Sequence, residues 1–148
     1  MRGPVFLGGS CGASTWRTNI AIPRLEAAGI ASYNPQVPEW TPELIRTEAR
    51  AKMAAAHLLF VIDGVARSIT SMGEAMFFLE ARPRDLTLVV EDIPDGQVIE
   101  GSVITGRELL DLNRARAYVR DAAKSAGVPL HVTVDAAMDP VIAVMANR

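Results

Sequence analysis

The stretch HLLFVIDGVARSITSMGEAMFFLEA, residues 57–81, places an unbroken apolar run in front of a cluster of polar side chains and then returns to apolar residues. An apolar run without alternation is typical of a strand buried on both faces of a parallel sheet. The polar cluster contains an Asp, an Arg, two Ser and a Gly-Glu pair. The stretch therefore predicts a strand, a turn and a helix, with the polar groups gathered at the turn.

Four further short runs rich in apolar residues alternate with longer segments of helical period. They are PVFLG (4–8), IASY (30–33), LTLVVE (86–91) and PLHVTV (129–134). This alternation predicts an α/β fold in a single domain over residues 1–148: a doubly wound, flavodoxin- or Rossmann-like five-stranded parallel sheet in the order 2-1-3-4-5, with helices on both faces. The segment 92–106 is predicted to be a long loop, of a length often found in lids or partner contacts.

Capping residues predict where the helices begin. We expect starts near Ser14 or Thr15, at Thr41, at Ser71 and near Thr105, and a last helix over roughly 137–147.

Composition limits the classes of function. The 148 residues are 49% hydrophobic and 22% charged with a net charge of -2, which indicates a globular chain without the basic surface of a nucleic-acid or membrane binder. No apolar stretch approaches the ~20 residues of a spanning helix, and the first residues turn to Gly too soon for a signal peptide. We expect a cytoplasmic protein with a small-molecule partner. Cys11 is the single cysteine, so neither a disulfide nor a zinc site is expected.

Two loops should face each other across one cleft. In the predicted strand order the chain reverses direction between strands 1 and 3, and ligands bind outside the carboxyl ends of such strands. The loop GGSCGAS follows strand 1. Its Gly8, Gly9 and Ser10 resemble a cradle for a phosphate or a sugar, because Gly lets backbone amides approach a ligand. The loop matches neither common Gly-rich nucleotide pattern, and a plain tight turn explains it equally well.

Glu74 is the leading candidate for chemistry. If Ser71 caps the helix, Glu74 lies in the first turn, where exposed N–H groups and the macrodipole favour the carboxylate that a nucleophile needs. The same S-x-x-E spacing is also a capping box, in which the Glu only bonds back to the cap. Gly73 would leave room for a ligand beside the backbone.

Other polar groups at this edge are candidates for proton transfer and binding. Asp63 ends the strand and could hand a proton to a leaving group, although Asp63-Gly64 is equally well a simple turn. The binding candidates supply a cation, hydroxyls, an amide and an aromatic face: Arg67, Ser68, Ser71, Asn34 and Trp40. A solvated loop, or core packing of the Trp, is the alternative for each.

Four motifs together resemble the nucleoside 2-deoxyribosyltransferase-like family: VFLGGS (5–10), YNPQVPEW (33–40), LLFVIDG (58–64) and RSITSMGEA (67–75). DLNRARAYV (111–119) stands where that family's distal helix is expected, so the resemblance covers nearly the whole chain. It implies cleavage of the N-glycosidic bond of a (deoxy)nucleoside or nucleoside 5'-monophosphate by a Glu nucleophile, which matches Glu74, with Asp63 as the most similar acid. The sugar passes to water or to another base. The resemblance implies no metal or redox cofactor, and a homodimer or larger homo-oligomer whose subunits complete the pocket.

The stretch before Glu74 bears on the substrate. The family's transferases tend to carry an Asp there for the sugar 5'-hydroxyl, whereas this chain has Ser68 to Gly73. Relatives that hydrolyse nucleoside 5'-monophosphates use Ser and backbone amides around the phosphate, so the stretch and Arg67 slightly favour a 5'-phosphorylated substrate and a hydrolase. Two other classes also fit: a non-catalytic nucleotide-binding or sensing module of the same fold, and an assembly protein.

Apolar residues around the fourth helix predict a subunit contact. Val103, Ile104, Leu109, Leu110 and Leu112 are more than one helix stripe needs, so we expect part of them to pack on a second subunit.

Overall fold

Five short strands form an all-parallel sheet. In the computed structural model, which describes residues 3–148, these strands are β1 Val5–Gly9, β2 Ser32–Tyr33, β3 His57–Ile62, β4 Leu86–Val90 and β7 Leu130–His131. The intervening β5 Gln97–Ile99 and β6 Ser102–Ile104 pair with each other as a separate antiparallel hairpin. The sheet order is β2-β1-β3-β4-β7, which confirms the predicted fold class and order because the hairpin is inserted without disturbing the sheet.

Helices cover both faces of the sheet. They are a π-helical turn Arg17–Ala21 that continues into α1 Ile22–Ala27, then α2 Leu44–Ala54, α3 Ile69–Ala81, a 3-10 turn Pro83–Asp85, α4 Gly106–Ser125 and α5 Val134–Ala146. One core lies between the sheet and α3 with α4, the other between the sheet and α1 with α5. β3 contributes Leu58, Phe60 and Ile62 to the first core and Leu59 and Val61 to the second, as expected of a strand buried on both faces.

The predicted start of α3 at Ser71 is wrong. The helix begins at Ile69, and Ser68 before it has a left-handed backbone with a φ of 60°. The Met72 N–H donates to the Ser68 carbonyl at 2.9 Å, so Ser71 already lies inside the first turn. The Ser68 hydroxyl, rather than that of Ser71, meets the loop after β1 across the cleft.

The other helix starts differ from the predictions by a few residues, apart from α4, which begins directly after Thr105 as predicted. The first helical segment covers Arg17–Ala21 and α2 begins at Leu44, each after the predicted start. α5 begins at Val134, before the predicted start, because the Thr133 hydroxyl accepts the Ala136 N–H at 3.1 Å. The same cap ends the extended segment after His131, short of the predicted strand end.

The segment 92–106 contains the β5–β6 hairpin and is not the irregular loop that the sequence predicted. Its turn is formed by Glu100 and Gly101, which have positive φ values of 50° and 79°. Positive φ at both central residues suits a two-residue hairpin turn.

This hairpin packs on α4 through a small apolar cluster of its own. The buried members are Ile93, Ile99, Ile104 and Leu112, with Leu109 packed against them. Three of the five residues around the fourth helix, Ile104, Leu109 and Leu112, therefore pack within the chain. Val103 and Leu110 are exposed, and the subunit contact stays a prediction. Within residues 3–148 no helix combines the length and apolar character needed to span a membrane.

Candidate active site

The loop after β1 meets the turn after β3 at the carboxyl edge of the sheet. The buried Ser10 hydroxyl accepts the Asp63 N–H at 2.9 Å and lies 2.5 Å from the Ser68 hydroxyl. The Ser10 N–H donates to the Val61 carbonyl at 2.8 Å. The predicted convergence of the two segments is therefore confirmed.

Gly8 and Gly9 are required by the close approach of β1 to β3. A Cβ on Gly8 would lie 2.5 Å from the Phe60 ring, and one on Gly9, whose φ is 111°, would lie 1.9 Å from the Val61 carbonyl oxygen. Packing alone thus accounts for both glycines. Their contact with a substrate remains a prediction.

A buried arginine shapes the same loop. Arg17 donates to the carbonyls of Leu7, Ser10 and Gly9 at 2.8, 2.6 and 3.1 Å. Burial lowers the pKa of Arg17, although the guanidinium keeps three acceptors for its donors. Arg17 was not predicted from the sequence, because a lone Arg near a helix start is usually solvated.

Asp63 takes part in a turn and also lines a cavity. Its carboxylate accepts the Val65 N–H at 3.2 Å, the local turn that the sequence offered as an alternative. The side chain is largely buried at the end of β3. The cavity, of about 290 Å³, lies toward α1 and α5 and is lined by Thr15, Trp16, Asn19, Ile20, Asp63, Val65, Glu91, Thr133, Val134 and Asp135.

Glu91 is a second carboxyl group in this cavity, and it was not predicted from the sequence. Burial raises the pKa of Glu91 and the nearby Asp63 charge raises it further, while the Gly64 N–H opposes the shift. The available signal was position: Glu91 follows β4 as Asp63 follows β3, and the two strands are neighbours. Paired carboxyl groups with one raised pKa are a common arrangement at sites of proton transfer.

Glu74 is the sixth residue of α3, so the predictions of a first-turn position and of a capping box with Ser71 are both wrong. Its carboxylate instead forms an ion pair with the Lys52 ammonium of α2. The Glu74 side chain is 31% exposed, which leaves it accessible to a ligand. The charge of the Glu74 carboxylate is therefore stabilised by a cation from a neighbouring helix rather than by the dipole of its own helix.

The other predicted binding residues in α3, or just before it, contact different parts of the structure. Arg67 donates to Glu108 at 2.7 Å and lies 3.5 Å from Glu100, so its charge is partnered by α4 and the hairpin. Ser71 lies three residues before Glu74 and shares its side of the helix. Gly73 lines another groove, between α3 and α4. Binding of a substrate by these residues remains a prediction.

The segment after β2 reaches the loop after β1. The Asn34 side chain accepts the Gln36 N–H at 3.0 Å, and the Gln36 amide donates to the Gly12 carbonyl at 3.2 Å. Trp40 is 60% exposed, so it is not the core residue that the alternative interpretation suggested. Its stacking on a base remains a prediction.

The part of the sequence that forms this site matches a known family. A family model described as nucleoside 2-deoxyribosyltransferase like matches residues 2–93, which include β1 to β4 and α3. No curated protein matches the chain. Because the family match covers more than half of the 148 residues, the chain belongs to the nucleoside 2-deoxyribosyltransferase-like family.

Proposed function

We propose that the protein cleaves the N-glycosidic bond of a (deoxy)nucleoside or nucleoside 5'-monophosphate, with Glu74 as the nucleophile. The observation that carries this proposal is a partly exposed Glu74 carboxylate, held by Lys52, within the part of the chain that matches the family. Glu74 lies about 9 Å along the α3 axis from Ser68 at 1.5 Å per residue. A substrate that touches the Ser10–Ser68 contact would have to extend along α3 for its sugar to reach Glu74.

The reaction would proceed in two displacements with retention at the anomeric carbon. A Glu74 carboxylate oxygen forms a bond to that carbon while the carbon–nitrogen bond breaks, and the base leaves with the bonding electron pair. Water or a second base then attacks the same carbon, gives up a proton to the acid residue that was deprotonated in the first step, and regenerates the Glu74 carboxylate. Both steps pass through an oxocarbenium-like transition state, which a nearby anion stabilises.

The departing base requires a proton, and Asp63 is our proposed donor. It lies in the cavity after β3, toward which a base would extend from a sugar placed over Gly9 and Ser10. Glu91 is a second candidate because its raised pKa favours the protonated form that a general acid needs. The variants Asp63→Asn and Glu91→Gln distinguish the two candidates. Substitution of the residue that donates the proton should lower turnover more for substrates with poor leaving bases than for substrates with good ones.

The hydroxyls before Glu74 favour a 5'-phosphorylated substrate and transfer to water. Ser68 precedes the first turn of α3 and Ser71 lies within it. The N–H groups of this turn can bind an anion, and no carboxylate lies between Ser68 and Glu74. Arg67 could join them only by exchanging its contacts with Glu108 and Glu100. We therefore propose hydrolysis of nucleoside 5'-monophosphates, rather than base exchange, as the activity.

The Lys52–Glu74 pair also fits an alternative, a non-catalytic nucleotide-binding module in which Glu74 is structural. In such a protein the ion pair would hold α2 on α3 and no bond would be broken.

A screen for released base tests the proposal. Deoxynucleosides, ribonucleosides and their 5'-monophosphates are incubated with the wild type and with Glu74→Gln, with and without an acceptor base. Glu80→Gln, an exposed substitution on the same helix, is the control. We expect release by the wild type and the control and a loss of several orders of magnitude in Glu74→Gln. Equal release by all three would overturn the nucleophile assignment, and binding without release would favour the sensing module.

A further inference from the structure

Lys52 contacts the carboxylate of the proposed nucleophile Glu74 and is largely buried. Its ammonium pairs with Oε2 of Glu74 and lies 3.7 Å from Glu48, one turn earlier on α2. Only 12% of the Lys52 side chain is exposed, whereas most lysines point into solvent. The ammonium therefore has two carboxylates as its partners in a partly dry environment.

Two further contacts fix this lysine in place. The ammonium lies 5.5 Å from the centroid of the Phe6 ring, within the range of a cation–π interaction. The end of α2 is held by Arg82, which donates to the Lys52 and Ala55 carbonyls at 2.6 and 2.9 Å. Backbone and side chain are thus both held, as a residue that orients another must be.

We propose that Lys52 is a positioning residue for Glu74, an inference that rests on the proposed function. The ammonium binds Oε2 and so directs Oε1 toward the anomeric carbon. A Glu side chain has three rotatable bonds, and a nucleophile reacts efficiently only when it is held close to the attack geometry. Lys52 supplies this order without itself contacting the reacting carbon.

Glu48 keeps a charged partner beside Lys52 throughout the catalytic cycle. When Glu74 forms its bond to the sugar, the carboxylate becomes a neutral ester and Lys52 loses its closer partner. A buried charge without a partner is strongly unfavourable. Glu48, within 4 Å of the same ammonium, retains Lys52 at its place until the second displacement restores the Glu74 carboxylate.

Steady-state kinetics of three variants test the inference. Lys52→Met removes the charge and keeps much of the side-chain volume, Lys52→Arg keeps the charge, and Arg50→Met removes an exposed cation of the same helix as a control. We expect Lys52→Met to lower kcat about 100-fold with KM nearly unchanged, Lys52→Arg to recover most of this loss, and Arg50→Met to behave as wild type. Unchanged kcat in Lys52→Met, a change in KM alone, or no recovery in Lys52→Arg would overturn the inference.

Urea denaturation separates this inference from the proposed function. The midpoints of Lys52→Met, Glu74→Gln and the double variant should be non-additive, because the two side chains contact each other. Additive shifts would show that the pair is not formed and would overturn the positioning role. A wild type that releases no base overturns the proposed function and this role with it, whereas an active wild type beside a fully active Lys52→Met overturns the positioning role alone.

Discussion

Ser10 is the residue through which the two halves of the candidate site meet. Its hydroxyl accepts a backbone N–H from the turn after β3 and contacts Ser68 in front of α3. The Ser10 side chain is 1% exposed, so water cannot replace these contacts. One buried hydroxyl therefore links the position of the Gly-rich loop to the start of the helix that carries Glu74.

Ser10→Ala should destabilise the fold more than Ser68→Ala does. The first change leaves the buried Asp63 N–H without its acceptor, which costs about 1–3 kcal/mol. The second removes a hydroxyl but leaves that N–H paired, so it serves as the matched control. Chemical denaturation measures both, and equal losses would contradict the importance given to the Asp63 N–H.

Glu91 should make stability depend on pH in a defined direction. Its folded pKa lies above the ordinary 4.5, so the folded state holds the proton more tightly than the unfolded chain. The resulting stabilisation is complete below pH 4.5 and is lost as pH rises through the folded pKa. Glu91→Gln should therefore be more stable than wild type at neutral pH, and the advantage should vanish in acid.

Thermal unfolding across pH 4 to 8, with the exposed Glu80→Gln as control, measures this difference. A Glu91→Gln variant that is less stable than wild type at pH 7 would contradict the assigned shift.

The residues that the sequence could predict are those whose place follows from the strand order. Ser10 and Asp63 follow neighbouring strands, so their meeting could be inferred without coordinates. Lys52 and Arg17 could not be predicted, because a cation on a helix is expected to be solvated until the partner carbonyl or carboxylate is known. Their partners lie in other elements and are brought close only by tertiary packing.

At the scale of secondary-structure elements, α4 holds the turn between β3 and α3 through one fully buried side chain. Arg116 donates to the backbone carbonyls of Asp63 and Ala66 at 2.8 Å each and to that of Glu91 at 2.9 Å. Burial lowers the pKa of Arg116, and the Asp63 charge opposes that shift. α4 lies beyond the part of the chain that matches the family, yet it fixes the turn that contains the proposed acid.

Arg116→Met should therefore lower stability by about 3 kcal/mol or more, because several buried carbonyls lose a charged donor at once. Lys124→Met, an exposed cation on the same helix, should change stability by less than about 0.5 kcal/mol. Denaturant titration compares the two. Losses of similar size would contradict the role of Arg116 in holding the turn.

Helix boundaries show why local signals were insufficient at this scale. Ser71 has the right residue three positions later for a capping box, and the sequence supplied no reason to prefer Ser68. The decisive contact is the one between Ser68 and Ser10, 58 residues apart. The start of α4 directly after Thr105 was predicted correctly. The Thr105 hydroxyl contacts Asp95, only ten residues earlier in the sequence, so no distant segment determines this start.

At the scale of the whole molecule, part of the exposed apolar surface lies on α3 and α4. Met76 and Tyr118, which are 42% and 70% exposed, line a groove of about 350 Å³, and Phe77, the residue after Met76, is 63% exposed. Contiguous exposed apolar groups usually mark an interaction site. We expect a second copy of this chain to cover them, and the predicted contact through Val103 and Leu110 stays a prediction beside it.

Phe77→Glu combined with Tyr118→Glu should convert an oligomer into a monomer, because two charges would be buried in the contact. Light scattering at micromolar concentration measures the mass, and Val132→Glu, at an exposed site outside α3 and α4, is the control. A wild type that is already monomeric, or a double variant of unchanged mass, would contradict this interface.

The central claim is that Glu74 forms a covalent bond to the sugar, and intact-protein and peptide mass spectrometry tests it most directly. The wild type is mixed with a substrate from which it releases the base, or with a 2-fluoro analogue of that substrate that slows the second displacement. The reaction is then quenched in acid. We expect a mass increase equal to the glycosyl group on the peptide that contains Glu74, and no increase in Glu74→Gln. Base release without any adduct on that peptide, or an adduct at another residue, would contradict it.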